Sequence, residues 1–245
     1  MAFSSISNSE KSKPRKSESR KSDHVAPPAE MWQSSIGKKI LTGVTGLGLV
    51  TFVVIHALGN LTLFFSAPTF NYLAYVIERL RPLLYLVEFS LLGLLLIHIA
   101  IGIRLYVGKR SARRIAYTAY ESAGAPSRQT LASRTMIFSG LLLGVFLIWH
   151  LATFKFGPVF RVPGSTDRDM ARLVFETFQQ PIYTASYVIV LGFLGLHLRH
   201  GFWSALHSLG VATKPSVFMG SAVLGSAIAL DFMGLPIAIY FGLLG

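Results

Sequence analysis

Four histidines lie inside long apolar stretches of the chain, one in each stretch: His56, His98, His150 and His197. An ionisable side chain within a membrane helix is costly, so each of these residues is a candidate for function. Imidazole nitrogen is a common ligand of transition metals and of haem iron. Metal or haem ligation therefore depends on whether the chain brings these side chains together.

Five apolar runs are each long enough to cross the roughly 30 Å hydrocarbon core of a membrane as an α-helix. They cover approximately residues 40–65, 83–107, 135–155, 182–206 and 216–243. The chain is 52% hydrophobic and only 14% charged, which excludes an ordinary soluble domain. The runs also lack the alternation of a transmembrane β-barrel. We therefore predict an all-α membrane protein in which residues 34–245 form one five-helix transmembrane bundle, with no convincing internal sequence repeat.

The estimated depths of the four histidines group them into two pairs. At a rise of about 1.5 Å per residue, His56 and His150 lie about 25 Å from the starts of the first and third helices. The second and fourth helices run in the opposite direction, and His98 and His197 lie about 15 Å before their ends. Two imidazole pairs at two depths are what bis-histidine ligation of two b haems requires. A zinc site would instead gather its ligands at one depth, usually with a carboxylate.

Other residues near these helix ends are candidate contacts for a cofactor. His200 lies one turn after His197 and is an alternative ligand, but we favour a hydrogen bond from it to a haem propionate or a quinone. Arg104 is a candidate partner for a propionate, although a terminal arginine more often reaches lipid phosphate. Gly102 and Gly201 follow His98 and His197 at i+4, where a missing side chain would leave room for a porphyrin edge.

Polar and amphipathic features outside the histidines are less informative. Three acidic residues in or near the helices have no role that the sequence determines: Glu78, Glu88 and Asp231. Two segments between the apolar runs, 68–80 and 167–178, place apolar residues at helical spacing. We expect both segments to lie on the membrane surface.

The distribution of charge predicts the orientation of the chain. The net charge is +12, but the basic residues lie between the apolar runs rather than on one folded face, so we expect no nucleic-acid partner. Fifteen Lys and Arg residues fall in the leading tail and the loops on its side, against six on the other side. The positive-inside rule then makes the N-terminus cytoplasmic. Residues 1–33, a basic tail with little to bury, are predicted to be disordered.

The chain contains no cysteine. This excludes disulfides, an iron–sulfur cluster bound by this chain, and haem attached covalently through a C-x-x-C-H sequence. Any cofactor must be held by other ligands.

The apolar runs and their histidines resemble a known family, the cytochrome b membrane-anchor subunit of succinate:quinone oxidoreductase (succinate dehydrogenase or fumarate reductase) in its five-helix, two-haem form. The resemblance extends from about residue 34 to the C-terminus. It is carried by "SSIGKKILTGVTGLGLV", "VIHALGNLTLF", "VEFSLLGLLLIHIAIGIRL", "FLIWHLATF" and, most specifically, "LHLRHGFWSALHSLG".

The resemblance implies that His56 and His150 ligate the outer haem, and that His98 and His197 ligate the inner haem. It implies a flavoprotein subunit and an iron–sulfur subunit on the cytoplasmic side of a bacterial inner membrane. Electrons from succinate oxidation would pass through the two haems to membrane quinone, usually menaquinone, or in reverse towards fumarate. The chain would then be an electron-transfer subunit that does not itself oxidise succinate.

Two other classes of function fit the same residues. One is a two-haem cytochrome b anchor of a different dehydrogenase, such as a hydrogenase or a formate dehydrogenase. The other is a transporter whose intramembrane histidines relay protons.

Overall fold

The computed structural model describes residues 34–111, 131–211 and 215–244. The predicted tail, residues 1–33, lies outside these segments. Within them the chain forms eight α-helices: α1 (Ser35–Phe65), α2 (Ala67–Arg79), α3 (Arg81–Ser111), α4 (Leu131–Arg134), α5 (Met136–His150), α6 (Met170–Phe178), α7 (Pro181–Ser208) and α8 (Pro215–Tyr240). A π-helical segment, Leu151–Lys155, continues α5.

Five of these helices are long and apolar enough to cross a membrane, as predicted. They cover Ile36–Phe65, Arg81–Ser111, Met136–Lys155, Pro181–Ser208 and Pro215–Tyr240. A helix satisfies its own backbone hydrogen bonds, which is why a segment of this composition can be helical in lipid. The fold is therefore that of an all-helical, multi-pass membrane protein.

Four of the long helices form a ring. α1 packs against α3 and α7, and α5 packs against α7 and α3. As a result, α1 faces α5 across the centre, and α3 faces α7. α8 lies outside this ring and packs mainly against α7, with further contacts to α1. α1, α5 and α8 begin at one end of the bundle, which we call the N-terminal face, whereas α2 and α6 lie at the opposite face.

The two short helices at the opposite face differ in how they are packed. Asp169 caps α6, and its Oδ1 also accepts a hydrogen bond of 2.8 Å from Asn71 of α2. The apolar side of α6 is buried against the bundle, where Phe178 packs with Tyr187 and Leu235. The apolar face of residues 167–178 is therefore covered by protein, and the location of this segment on the membrane surface stays a prediction. α2 has no buried residue.

The order of elements is the same in the two halves of the ring. A long helix, a short helix and a second long helix follow one another in α1–α2–α3 and again in α5–α6–α7. Only short matches in sequence accompany this order, with Thr-Gly at 45–46 in α1 and Ser-Gly at 139–140 in α5. The two halves therefore share an order of elements, while the expectation of no convincing internal sequence repeat concerns the residues and is not contradicted by it.

Candidate functional site: two histidine pairs in the bundle

The four intramembrane histidines meet as two pairs, each across the centre of the ring. The ring centres of His98 on α3 and His197 on α7 lie 6.4 Å apart. Those of His56 on α1 and His150 on α5 lie 5.8 Å apart. These are the two pairs that depth alone predicted. Whether they bind a cofactor stays a prediction.

Hydrogen bonds determine the tautomer of His98. Its Nδ1 lies 3.2 Å from the carbonyl oxygen of Thr42, which can only accept, so Nδ1 carries the proton and donates it. The hydroxyl of Thr45 lies 3.3 Å from the same nitrogen, and it already donates to the carbonyl of Leu41 at 2.8 Å. Both contacts leave Nε2 of His98 unprotonated, with a lone pair for a metal.

His197 is held in the same way from the neighbouring helix. Its Nδ1 lies 3.1 Å from the hydroxyl of Ser139 on α5, and that hydroxyl donates to the carbonyl of Met136 at 3.2 Å. Since the hydroxyl proton is used, Nδ1 of His197 donates to Ser139, and Nε2 is left as an acceptor. Both imidazoles of this pair therefore present the nitrogen that a metal takes.

Two glycines provide the space in which these rings sit. A Cβ atom at Gly46 of α1 would lie 3.1 Å from Cε1 of His98, and one at Gly140 of α5 would lie 3.3 Å from Cε1 of His197. Any larger residue would crowd the imidazole at either position. By contrast, a Cβ atom at Gly102 would have no neighbour within 4 Å. The absence of a side chain there is therefore not needed to fit His98 among the protein atoms.

The His56–His150 pair is held mainly by aromatic packing. Asn60 Nδ2 lies 3.4 Å from Nε2 of His56, and the hydroxyl of Tyr187 lies 3.4 Å from Nδ1 of His150. Both distances are near the outer limit of a hydrogen bond. The ring of Phe52 stacks on His56 at 5.6 Å. Further rings beside this pair are Phe146, Phe154 and Phe232.

The distance between the two pairs follows from the helices that carry them. His98 lies beside Gly46, ten residues before His56 on α1, and His197 lies beside Gly140, ten residues before His150 on α5. Ten residues of α-helix span about 15 Å. The two pairs are therefore stacked along the bundle axis. In the part of the chain that the structure describes, no group of three or more His, Cys, Asp or Glu residues could hold a metal ion.

The remaining predicted site residues lie away from the pairs. His200 packs beside Trp203, with ring centres 6.0 Å apart. Arg104 is exposed and lies six residues after His98, about 240° around α3, so the two side chains leave the helix on different faces. Gly201 would place a Cβ atom 3.9 Å from Met136 rather than against an imidazole. A cofactor contact from His200 or Arg104 stays a prediction.

The structure gives one of the acidic residues a partner. Glu88 of α3 forms an ion pair with Lys155, the last residue of the π-helical segment. This pairing was not anticipated, because the π-helix shifts the side-chain register after His150. Asp231 has no hydrogen-bond or ion-pair partner among the described residues, and Glu78 lies on α2.

The residues that sequence reasoning missed are the supports of the imidazoles. Thr45 and Ser139 are only 2% and 1% exposed. The signal was present in the sequence as a hydroxyl residue followed by glycine, ten residues before a histidine, in both α1 and α5. It resembles ordinary small-residue helix packing and is therefore easily overlooked.

Comparison of the chain with protein-family models, with curated proteins and with solved structures gives no match. The class defined by the fold and the site is a multi-pass helical membrane protein with two stacked histidine pairs in its bundle.

Proposed function

We propose that the chain is a membrane-anchoring, two-haem cytochrome b that carries electrons between a soluble dehydrogenase and membrane quinone. The observation that carries this proposal is the meeting of four histidines as two pairs across one bundle. A single intramembrane histidine is readily explained by a hydrogen bond between helices. Two histidine pairs drawn from four helices are not explained by such a hydrogen bond.

The ring separations suit a shared metal. Two imidazole nitrogens that each lie about 2 Å from one iron place the ring centres about 6 Å apart. The observed separations are 6.4 and 5.8 Å. His98 and His197 would hold one b haem, and His56 and His150 would hold the other.

Bound haem supplies one-electron transfer, with a potential that its axial ligands and their hydrogen bonds set. The chain's own contribution is to hold each imidazole in the correct tautomer and orientation. Thr42, Thr45 and Ser139 do this for the His98–His197 pair, because their oxygen atoms accept hydrogen bonds from the protonated Nδ1 atoms. Among the described residues, no such carbonyl or hydroxyl acceptor engages His56, so we expect the two haems to differ in potential.

The particular complex that we propose is succinate:quinone oxidoreductase, on the resemblance of residues 34–245. The N-terminal face would then be cytoplasmic and would carry the flavoprotein and iron–sulfur subunits. Electrons would pass from those subunits to the His98–His197 haem, then to the His56–His150 haem, and on to a quinone such as menaquinone in a bacterial inner membrane. The reverse direction, towards fumarate, uses the same residues.

A reduced-minus-oxidised spectrum of the purified chain tests the haem assignment. We expect low-spin b-type bands and, by pyridine haemochrome, two haems per chain. The absence of b-type bands after expression with haem supplied would contradict it and favour a proton relay. Copurifying subunits test the choice of complex: succinate dehydrogenase activity with a flavin supports it, whereas a nickel or molybdenum subunit would indicate a different dehydrogenase.

A further inference from the structure

Two buried nitrogen donors on α7 lack acceptors. Nε of Arg199 and Nε1 of Trp203 are shielded from solvent, and neither has a hydrogen-bond partner in residues 34–111, 131–211 and 215–244. Arg199 forms no ion pair in these segments, and its guanidinium instead lies 5.7 Å from the ring centre of Phe218 on α8. A buried donor without an acceptor costs folding free energy. These two donors therefore indicate an acceptor that is not in the described chain.

The donors lie on the side of α7 away from the histidine pairs. Arg199 follows His197 by two residues, so the two side chains leave the helix about 200° apart. His197 contacts Ser139 of α5, whereas Arg199 contacts Phe218 of α8. An acceptor for Arg199 thus belongs to the α7–α8 surface and not to the centre of the ring.

Close packing of α7 on α8 directs the arginine side chain towards the N-terminal face. A Cβ atom at Gly225 of α8 would lie 2.8 Å from the backbone nitrogen of Arg199 and 3.0 Å from the carbonyl oxygen of Gly195. The guanidinium cannot pass between backbones this close. It lies instead at Phe218, seven residues before Gly225 and so about 10 Å nearer the start of α8.

The surroundings of the guanidinium are those of a membrane boundary. Phe218 is in the first turn of α8, which begins at Pro215. The first turn of a helix has backbone N–H groups without intrahelical acceptors and favours an anion. The indole of Trp203 packs edge-on against Phe218, with ring centres 5.7 Å apart. Tryptophan is typical of the headgroup level of a membrane, where its N–H group meets polar acceptors.

We propose that Arg199, Trp203 and the first turn of α8 together bind the phosphate of an anionic phospholipid at the N-terminal face. Guanidinium binds phosphate oxygens in a fork of two hydrogen bonds, and the indole N–H adds a third donor. The lipid acyl chains would lie along the outer side of α8, where Met219 and Val223 are exposed.

Native mass spectrometry of the delipidated full chain in detergent tests the site with dioleoyl phosphatidylglycerol and dioleoyl phosphatidylcholine. We expect the wild type to bind the anionic lipid more tightly than the zwitterionic one, and Arg199→Gln to weaken that binding about tenfold. Trp203→Phe keeps the ring, removes the donor, and should weaken binding several-fold. Arg79→Gln is the matched control, since it removes an exposed arginine at the end of α2, at the opposite face of the bundle, and it should leave binding unchanged.

Three results would overturn the proposal. Equal binding of the two lipids would show that the site does not prefer an anionic lipid over a zwitterionic one. An equal loss in Arg79→Gln and Arg199→Gln would assign the effect to overall charge. Competition by inorganic phosphate at the same concentration as the lipid would indicate a site for a free anion instead. If Arg199→Gln does not fold, the lipid affinity of Trp203→Phe tests the proposal in its place. None of these binding measurements depends on haem content.

Discussion

Thr45 and Ser139 occupy equivalent positions on α1 and α5, and each lies within 3.3 Å of Nδ1 of a histidine on the next long helix. Each precedes a glycine whose missing side chain accommodates that same imidazole. One half of the ring thereby supports His98, and the other half supports His197. The pair forms where two similarly built halves meet.

The hydroxyl groups of Thr45 and Ser139 differ in how far the histidine beside each one depends on it for a hydrogen bond. Without Ser139, Nδ1 of His197 loses the only acceptor that the described residues give it, whereas without Thr45, His98 still donates to the carbonyl of Thr42. Loss of such a support typically lowers metal affinity about 10- to 100-fold. We expect Ser139→Ala to lower retention of one haem and to shift its potential, and Thr45→Val to have a smaller effect. Pyridine haemochrome and redox titration measure both.

The control for these variants is Thr51→Val, because Thr51 is exposed and, in the part of the chain that the structure describes, its hydroxyl bonds only to the carbonyl of Leu47. It should retain both haems at unchanged potentials. A Thr45→Val effect larger than that of Ser139→Ala would contradict the assignment of the supports.

Alanine at Gly46 or Gly140 should disturb the His98–His197 pair. The added Cβ atom would lie 3.1 or 3.3 Å from an imidazole carbon, and overpacking of this kind costs about 1–3 kcal/mol. We expect a lower melting temperature and partial loss of one haem. Gly220→Ala is the control, because a Cβ atom there meets nothing within 4 Å. If Gly46→Ala proves as harmless as the control, the imidazole is not confined there.

The sequence predicted features that a pattern within one helix determines, and it did not predict features that depend on contacts between helices. Long apolar runs determine five helices almost without context, and helix rise alone placed His56 with His150 and His98 with His197. The supports could not be predicted, because Gly46 and Gly140 act across a helix contact that no single-helix pattern reveals. The Glu88–Lys155 ion pair was also not predicted, because it depends on the π-helical segment at the end of α5. That segment changes the direction of the side chains that follow His150, and no sequence pattern indicates it.

Substitution of the proposed ligands should remove the haems one at a time. His98→Ala should lose one haem, His56→Ala should lose the other, and each should weaken assembly, since an imidazole on the facing helix is left without a shared metal. The haem content measured by pyridine haemochrome should fall from two haems to one per chain. Redox titration should show that the haem with a different potential is missing in each variant. Two low-spin haems in His98→Ala would contradict its assignment.

His197 and His200 should respond differently to the same substitution. His197 faces His98, whereas His200 packs beside Trp203. His197→Gln should therefore lose the haem of that pair. His200→Gln should retain both haems and, at most, shift a potential or slow quinone reduction. The opposite result would exchange the roles of the two residues, and the visible spectrum distinguishes the two outcomes.

Asn71 should stabilise the opposite face of the bundle. It donates to Asp169 and accepts from the backbone nitrogen of Ala171, at 2.8 Å in both cases, and so joins α2 to α6. Asn71→Ala should cost about 1–3 kcal/mol and speed hydrogen exchange in α6. Tyr72→Phe, at an exposed neighbour, is the control. Unchanged exchange in α6 would show that the two short helices are held by other contacts.

The ion pair between Glu88 and Lys155 has a consequence for biogenesis. α3 emerges from the ribosome before α5, so Glu88 enters the membrane while Lys155 is still unsynthesised. An acid alone within a membrane helix is costly, and the cost falls when an opposite charge arrives beside it. We therefore expect stable integration of the earlier segment to depend on synthesis of the later one, in which the π-helical segment at the end of α5 carries the lysine that pairs with Glu88.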